Sequence, residues 1–243
     1  IIDTDTASDD AVALIMALRA PDVRVTAITV VSGNVSVEQG ARNALFVTEL
    51  CGASHVPVYV GAARPLMRPA EHAHWFHGHD GLSDKGFAPS RTAAADGHAV
   101  DALIHHIRAN PGAVLVTLGP LTNVALAVAR DPAIASMVSR CVVMGGAANT
   151  IGNVTPAAEY NIWCDPEAAE MVFRSGLPVE MVGWELCRLE ANISADEQAH
   201  IRAIDTPAAH FALDCNERAI RANQEQSGDS GLALPDQIGR AHV

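Results

Sequence analysis

No basic run interrupts the 243 residues. Lys and Arg number 16 against 28 Asp and Glu, a formal net charge of −12, which argues against a polyanionic nucleic-acid partner. No apolar stretch reads as a membrane span, and no secretory leader pattern opens the chain. The five cysteines (Cys51, Cys141, Cys164, Cys187 and Cys215) show no metal-type spacing and read as reduced thiols of a cytoplasmic protein. Repeats, low-complexity segments and linkers are missing, so one domain is expected. An initiator Met is missing too. The chain opens inside a strand-like run, so an upstream segment is expected and the cytoplasmic location is a default.

What is present is ample material for a core, with 49% hydrophobic and 18% charged residues. Strand-like runs at Val23–Val31, Val56–Val60, Ala113–Leu118, Cys141–Met144 and Val179–Val182 alternate with helix-like runs. The helices are read at Val35–Cys51, Ala99–Ala109, Thr122–Arg130 and Pro166–Arg174. Asp165-Pro166-Glu167 is a helix start, and Ser194-Ala195-Asp196-Glu197 has the form of a capping box. Continuous apolar strands separated by helices predict an α/β fold, a mostly parallel sheet covered on both faces.

The first ten residues concentrate the chemistry. Ile1-Ile2 runs into Asp3, Asp5, Asp9 and Asp10, and an almost wholly apolar segment follows from Ala11. A buried strand end, a polar turn and a buried helix are expected. The first helical turn favours Asp9 and Asp10 through exposed N–H groups and the helix dipole. That accounts for two carboxylates. Four held close together repel one another unless a cation is present, and oxygen ligands without Cys suit Ca²⁺ or Mg²⁺ rather than Zn²⁺. A capped, solvated acidic turn is the plainer alternative.

Ligands of such sheets bind at the carboxyl ends of the strands. Polar residues collect there: Ser32-Gly33-Asn34, Gly119 to Asn123, Gly145-Gly146 and Gly183-Trp184-Glu185. The loop Gly61–Ser90 is long enough to be a functional lid and carries His72, His74, Trp75, Phe76, His77 and His79. Four histidines make zinc conceivable, but their spacing fits no regular zinc pattern. A solvated loop with a few packed aromatics would read the same way.

The opening stretch resembles the amino-terminal signature of the nucleoside hydrolases, Ca²⁺-dependent enzymes that split ribonucleosides. Here Thr6-Ala7-Ser8 stands where a Pro-Gly turn is commoner. His77-Gly78-x-x-Gly81-Leu82 is similar to that family's base-covering loop, and Leu115 to Asn123 to the segment whose carbonyl ligates Ca²⁺. Met144-Gly145-Gly146 and Gly152 to Ala169 resemble its sugar-holding segment. The resemblance implies a Rossmann-like nucleoside hydrolase domain over residues 1–236 and a nucleoside substrate. Asp5, Asp10, Asp236 and the Leu118 carbonyl would hold Ca²⁺, with Asp5 also the general base. Asp9, Asn34, Met144, Asn153, Glu159 and Asn161 would bind the substrate, with Trp75 and His77 toward the base. Pro235 replaces a His often found beside the last ligand, so His77 becomes the candidate for assisting the leaving base. Assembly as a homodimer or homotetramer is implied as well.

Residues 237–243 depart from the family pattern and are expected to be a foreign tail on an incomplete domain. Two other readings compete. Asp3-Thr4-Asp5 also resembles the opening of haloacid-dehalogenase-type phosphatases, although no phosphate-binding Lys loop follows. A nucleoside- or sugar-binding protein without turnover would share most of the site.

Overall fold

A computed structural model describes residues 1–189, 192–227 and 231–233. Six parallel strands form the central sheet: β1 (Ile2–Thr4), β2 (Ile28–Val30), β3 (Val58–Val60), β4 (Val114–Thr117), β5 (Arg140–Met144) and β6 (Val179–Val182). Their order is β3-β2-β1-β4-β5-β6. The helices are α1 (Ser8–Arg19), α2 (Val37–Leu50), α3 (His74–His77), α4 (Ala99–Ala109), α5 (Thr122–Arg130), α6 (Tyr160–Cys164), α7 (Pro166–Phe173), α8 (Trp184–Leu189), α9 (Ala195–Ala203), α10 (Pro207–Asp214) and α11 (Glu217–Ser227). A short antiparallel pair, β7 (Asn192–Ile193) with β8 (Leu232–Ala233), lies apart from the main sheet.

Alternation along the strands builds two cores. Ile28, Val30 and Val116 pack with Leu14 of α1, Val37 and Val47 of α2 and Phe211 of α10. Leu115, Cys141 and Val143 point the other way, onto Leu103 and Ile107 of α4, Val124 of α5 and Val172 of α7. Successive strand residues face opposite sides, so short apolar strands serve both layers. Asp165 caps α7 by accepting from the Ala168 N–H at 3.0 Å. Ser194 and Glu197 form the full capping box of α9.

The Val23–Val31 run yields a strand only over Ile28–Val30, because its ladders begin where Ile2 and Val58 stand opposite Ile28. Val23 to Val25 lie beyond those partners and are half-buried or exposed. The long loop contains a helical turn at His74–His77. Strand order reverses at β1, flanked by β2 on one side and β4 on the other, and the crevice at such a reversal is where open α/β sheets bind ligands.

Asn123 of α5 ties that point together. Its Nδ2 donates to Asp3 Oδ1 at 2.9 Å and to the Val30 carbonyl at 3.0 Å, and its Oδ1 accepts from the Ala62 N–H at 2.9 Å. Asn123→Ala strands these buried groups and is expected to cost about 2–4 kcal/mol of stability. Urea unfolding checks it; a loss below about 1 kcal/mol would contradict the network's weight.

Candidate active site

The turn after β1 places the acidic cluster at the reversal point. Asp3, Asp5 and Asp10 are essentially inaccessible. Asp3 accepts from Thr29 Oγ1 at 2.5 Å as well as from Asn123, and burial lifts its carboxyl to about 7. Asp5 Oδ2 accepts from the Asn34 N–H at 2.5 Å, while its Oδ1 is buried with no partner. Burial raises Asp5 to about 7, and the charge of Asp9 adds to the rise. Asp10 accepts from Thr4 Oγ1 at 2.5 Å and from the Ala7 N–H at 3.0 Å. Burial, then the charges of Asp5 and Asp9, hold its carboxyl well above the usual range. Asp9 and Asp10 occupy the first turn of α1.

No ion pair among the described residues reaches Asp3, Asp5 or Asp10. The backbone of this turn is itself unusual, with Thr6 at a φ of 34°. Thr4 Oγ1 accepts from the Thr6 N–H, and Asn43 Nδ2 donates to the Thr6 carbonyl. Such conformations persist where the surroundings over-determine them.

A cavity of about 510 Å³ opens beside this cluster, lined among others by Asp9, Asn34, Trp75, His77, Met144 and Glu159. Leu118, Asn153 and Asn161 line it too. Every described candidate reached by sequence reasoning therefore reaches this cavity, or, as with Asp5 and Asp10, the carboxylate turn next to it. Asp236 and residues 237–243 lie outside the described residues.

The groups expected to face a sugar are pre-oriented. Glu159 caps α6: its Oε1 accepts from the Asn161 N–H at 2.9 Å, and its Oε2 from the Gly146 N–H at 2.8 Å. Burial still raises its carboxyl to about 7, against those lowering hydrogen bonds. Asn161 Nδ2 donates to the Leu118 carbonyl at 2.7 Å and to the Met144 carbonyl at 3.2 Å. The Leu118 carbonyl, expected as a ligand, is thus aimed by Asn161 with one lone pair still available. Asn153 Oδ1 accepts from the Tyr160 N–H at 2.9 Å, leaving its amide donors for other partners.

His77 is no solvated loop residue. It is buried, with Nδ1 2.8 Å from Ser8 Oγ and 3.9 Å from Asp9 Oδ1. Burial lowers its imidazole below the ordinary value, with Asp9 opposing. Trp75 is 62% exposed at the cavity mouth, in edge contact with Phe76.

Sequence reasoning passed over Ser8 as the partner of His77 and His72, whose Nδ1 donates to the Gly33 carbonyl at 2.8 Å. Tyr160, Trp163 and Trp184, named in the sequence only as members of longer segments, stand in the wall as well. Only the order of the strands brings them here.

Among the described residues no three His, Cys, Asp or Glu side chains are already drawn together as a complete metal cage. The donor chemistry nevertheless suits a hard cation. Acidic oxygens are buried without counter-charge, one Asp5 oxygen has no partner, and a carbonyl stands at the next strand end. The phosphatase reading fails on geometry, since the first Asp of its motif, Asp3, is fully buried and engaged with Thr29 and Asn123.

Comparison with known proteins agrees. A family model described as inosine-uridine preferring nucleoside hydrolase matches residues 1–243. Probable uridine nucleosidase 1 of Oryza sativa subsp. japonica is 39% identical over 241 residues, which cover 98% of this chain and 74% of that protein. The pyrimidine-specific ribonucleoside hydrolase RihA of Salmonella enteritidis PT4 is 42% identical over 238 residues, covering 97% and 76%. The solved plant nucleoside hydrolase PpNRh1 superposes with a TM-score of 0.95 at 32% identity, covering 99% of this chain and 76% of that one. Across curated relatives the chain spans from 55% to 76% of their length.

Proposed function

The chain belongs to the nucleoside hydrolase family, enzymes that divide ribonucleosides into base and ribose, and from that premise we propose that it hydrolyses the N-glycosidic bond of ribonucleosides at the β1–β4 crevice. The observation that carries this reading is the buried, uncompensated carboxylate turn opening onto a cavity walled by Glu159, Asn153 and Asn161. The family is metal-dependent, and Asp5, Asp10 and the Leu118 carbonyl fit the ion. We take it to be Ca²⁺, which accepts a large oxygen shell. Asp236 would belong to the same set. When bound, such an ion acidifies water and anchors sugar hydroxyls.

The protein's own residues do the rest. Asp5 Oδ1, free of partners, receives the proton of the attacking water. Asp9 stands at the cavity wall, and Glu159 and the amides of Asn153 and Asn161 fix the ribose hydroxyls. As the anomeric carbon becomes positive, the fixed carboxylates stabilise it without reorganising. His77 and Trp75 face the base, with Asn34 and Met144 completing the sugar wall. Dimeric or tetrameric assembly and a cytoplasmic location complete the proposal; no helix among the described residues is long and apolar enough to cross a membrane.

Incubation with uridine and with inosine, followed by assay of free ribose, tests the reading. Ribose release supports it; tight nucleoside binding with no release would instead make this a binding protein. His77→Ala is expected to lower kcat on both substrates by about 10²-fold, the lower range of general-acid contributions. Unchanged turnover would mean that the leaving base takes its proton elsewhere.

A further inference from the structure

The loop that carries His77 is tied to α11 chiefly through Arg218. Arg218 lies in the first turn of α11, and its Nε donates to the Trp75 carbonyl at 3.2 Å, two residues ahead of His77. Its Nη1 meets Asp84 Oδ2 at 3.0 Å, seven residues after His77. One planar guanidinium thus spans both arms of the loop, a task its fixed fork suits and a point charge does not. Its backbone joins in: the Arg218 N–H donates to Ser83 Oγ at 3.0 Å, and Ser83 Oγ donates to the Cys215 carbonyl at 2.6 Å. The Ser83 N–H donates to the carbonyl of His77 itself at 2.8 Å. A continuous path therefore runs from α11 to the backbone of His77.

The loop needs such a restraint. Ser83 and Asp84 both have left-handed backbones, φ 65° and 55°, and neither is Gly. Conformations of that kind survive only where neighbours impose them. Asp84 Oδ1 accepts from the N–H groups of His79 and Asp80, so the carboxylate that Arg218 grips also organises the loop's interior. Lys85 pairs with Glu217 one residue before Arg218.

We propose that Arg218 is a positioning residue, which sets His77 against Ser8 and the cavity by clamping Trp75 and Asp84 to α11. The proposal deepens the hydrolase reading and, for its kinetic consequence, rests on it. Arg218 and Asp84 side chains are 42% and 38% exposed, so the ion pair by itself adds little to global stability. Its effect lies in geometry, where a small misplacement of a group at the reacting centre is costly.

Two measurements test it. Without any substrate, Arg218→Ala is expected to speed hydrogen exchange of the Gly78 and Ser83 amides by about tenfold while the β-sheet amides are unchanged, the signature of local opening. In turnover, Arg218→Ala is expected to lower kcat/KM about tenfold, with Arg218→Lys recovering part of the loss. In a His77→Ala background the same substitution should change kcat/KM by less than about twofold, because residues acting through one another are not additive. Unchanged exchange in the loop, or equal kinetic effects in both backgrounds, overturns the proposal. Absence of ribose release from every nucleoside defeats the hydrolase reading instead, and the exchange measurement still decides whether Arg218 positions the loop.

Discussion

Asp10→Asn is expected to abolish metal binding and ribose release together while the apo protein keeps its fold, with a stability equal to or above that of the parent. The side chain has two hydrogen-bond partners, Thr4 Oγ1 and the Ala7 N–H. An amide can satisfy both: its oxygen accepts from Ala7, and its NH₂ donates to the Thr4 hydroxyl, which rotates to accept. The substitution also removes an acidic group that burial, and then the charges of Asp5 and Asp9, hold well above the ordinary carboxylate range. Apo stability therefore has no reason to fall.

Metal binding is different. A ligand present at 100 times its Kd stabilises the native state by about 2.7 kcal/mol. Added Ca²⁺ should therefore raise the melting temperature of the parent by several degrees and leave Asp10→Asn unmoved. Loss of an ion that supplies several kcal/mol of charge stabilisation corresponds to a rate loss of about 10³-fold or more. Thermal melts with and without Ca²⁺, paired with ribose assays, check both halves. Full hydrolysis by the mutant after exhaustive chelation would refute the assignment.

Legibility followed sequence distance. The strand, acidic turn and helix at the start are local, so Asp9 and Asp10 in the first turn of α1 could be read directly, as could the caps at Asp165 and Ser194. The parallel sheet followed from apolar strands alternating with helices. Long-range partners were out of reach. Asn123 is 120 positions from Asp3, and Arg218 is 134 from Asp84; nothing in either neighbourhood marks them as partners until the strand order is known. His77 shows the same limit. Composition left a solvated loop open beside the lid reading; the fold buries the ring because Asn43 and Ser83 draw the loop down onto α2 and the α10–α11 junction. The shortened β2 has the opposite cause: Val23 to Val25 are β-branched enough to be strand but lie beyond the partners that would pair with them.

Gly33→Ala is the second large effect expected, and it concerns a residue that reads in the sequence as an ordinary turn glycine. A Cβ at position 33 would stand 2.1 Å from Asp5 Oδ2, 2.7 Å from Asp5 Cγ and 2.8 Å from Pro120 Cδ. Gly119 closes the other side, where a Cβ would meet Asp5 Oδ1 at 3.0 Å. The Asp5 carboxylate is therefore held in a slot between two backbone segments at the ends of β2 and β4, and it has no space to retreat. The backbone angle at Gly33 is not the obstacle, since it lies outside the left-handed range; the obstacle is the volume of one methyl group. Either Asp5 rotates, breaking its bond from the Asn34 N–H, or the Gly33–Asn34 turn shifts outward, against His72, which donates to the Gly33 carbonyl. Both displace Asp5, the proposed base, from its place beside the cavity. Overpacking of this kind costs about 1–3 kcal/mol of stability. Misplacing the base by about an ångström is expected to lower kcat by about 10²-fold or more. Urea unfolding and ribose assays on Gly33→Ala separate a loss of stability from a loss of turnover. Wild-type kcat with unchanged stability in Gly33→Ala would show that Asp5 is not confined as described, and with it the case for Asp5 as a fixed base at this crevice would fail.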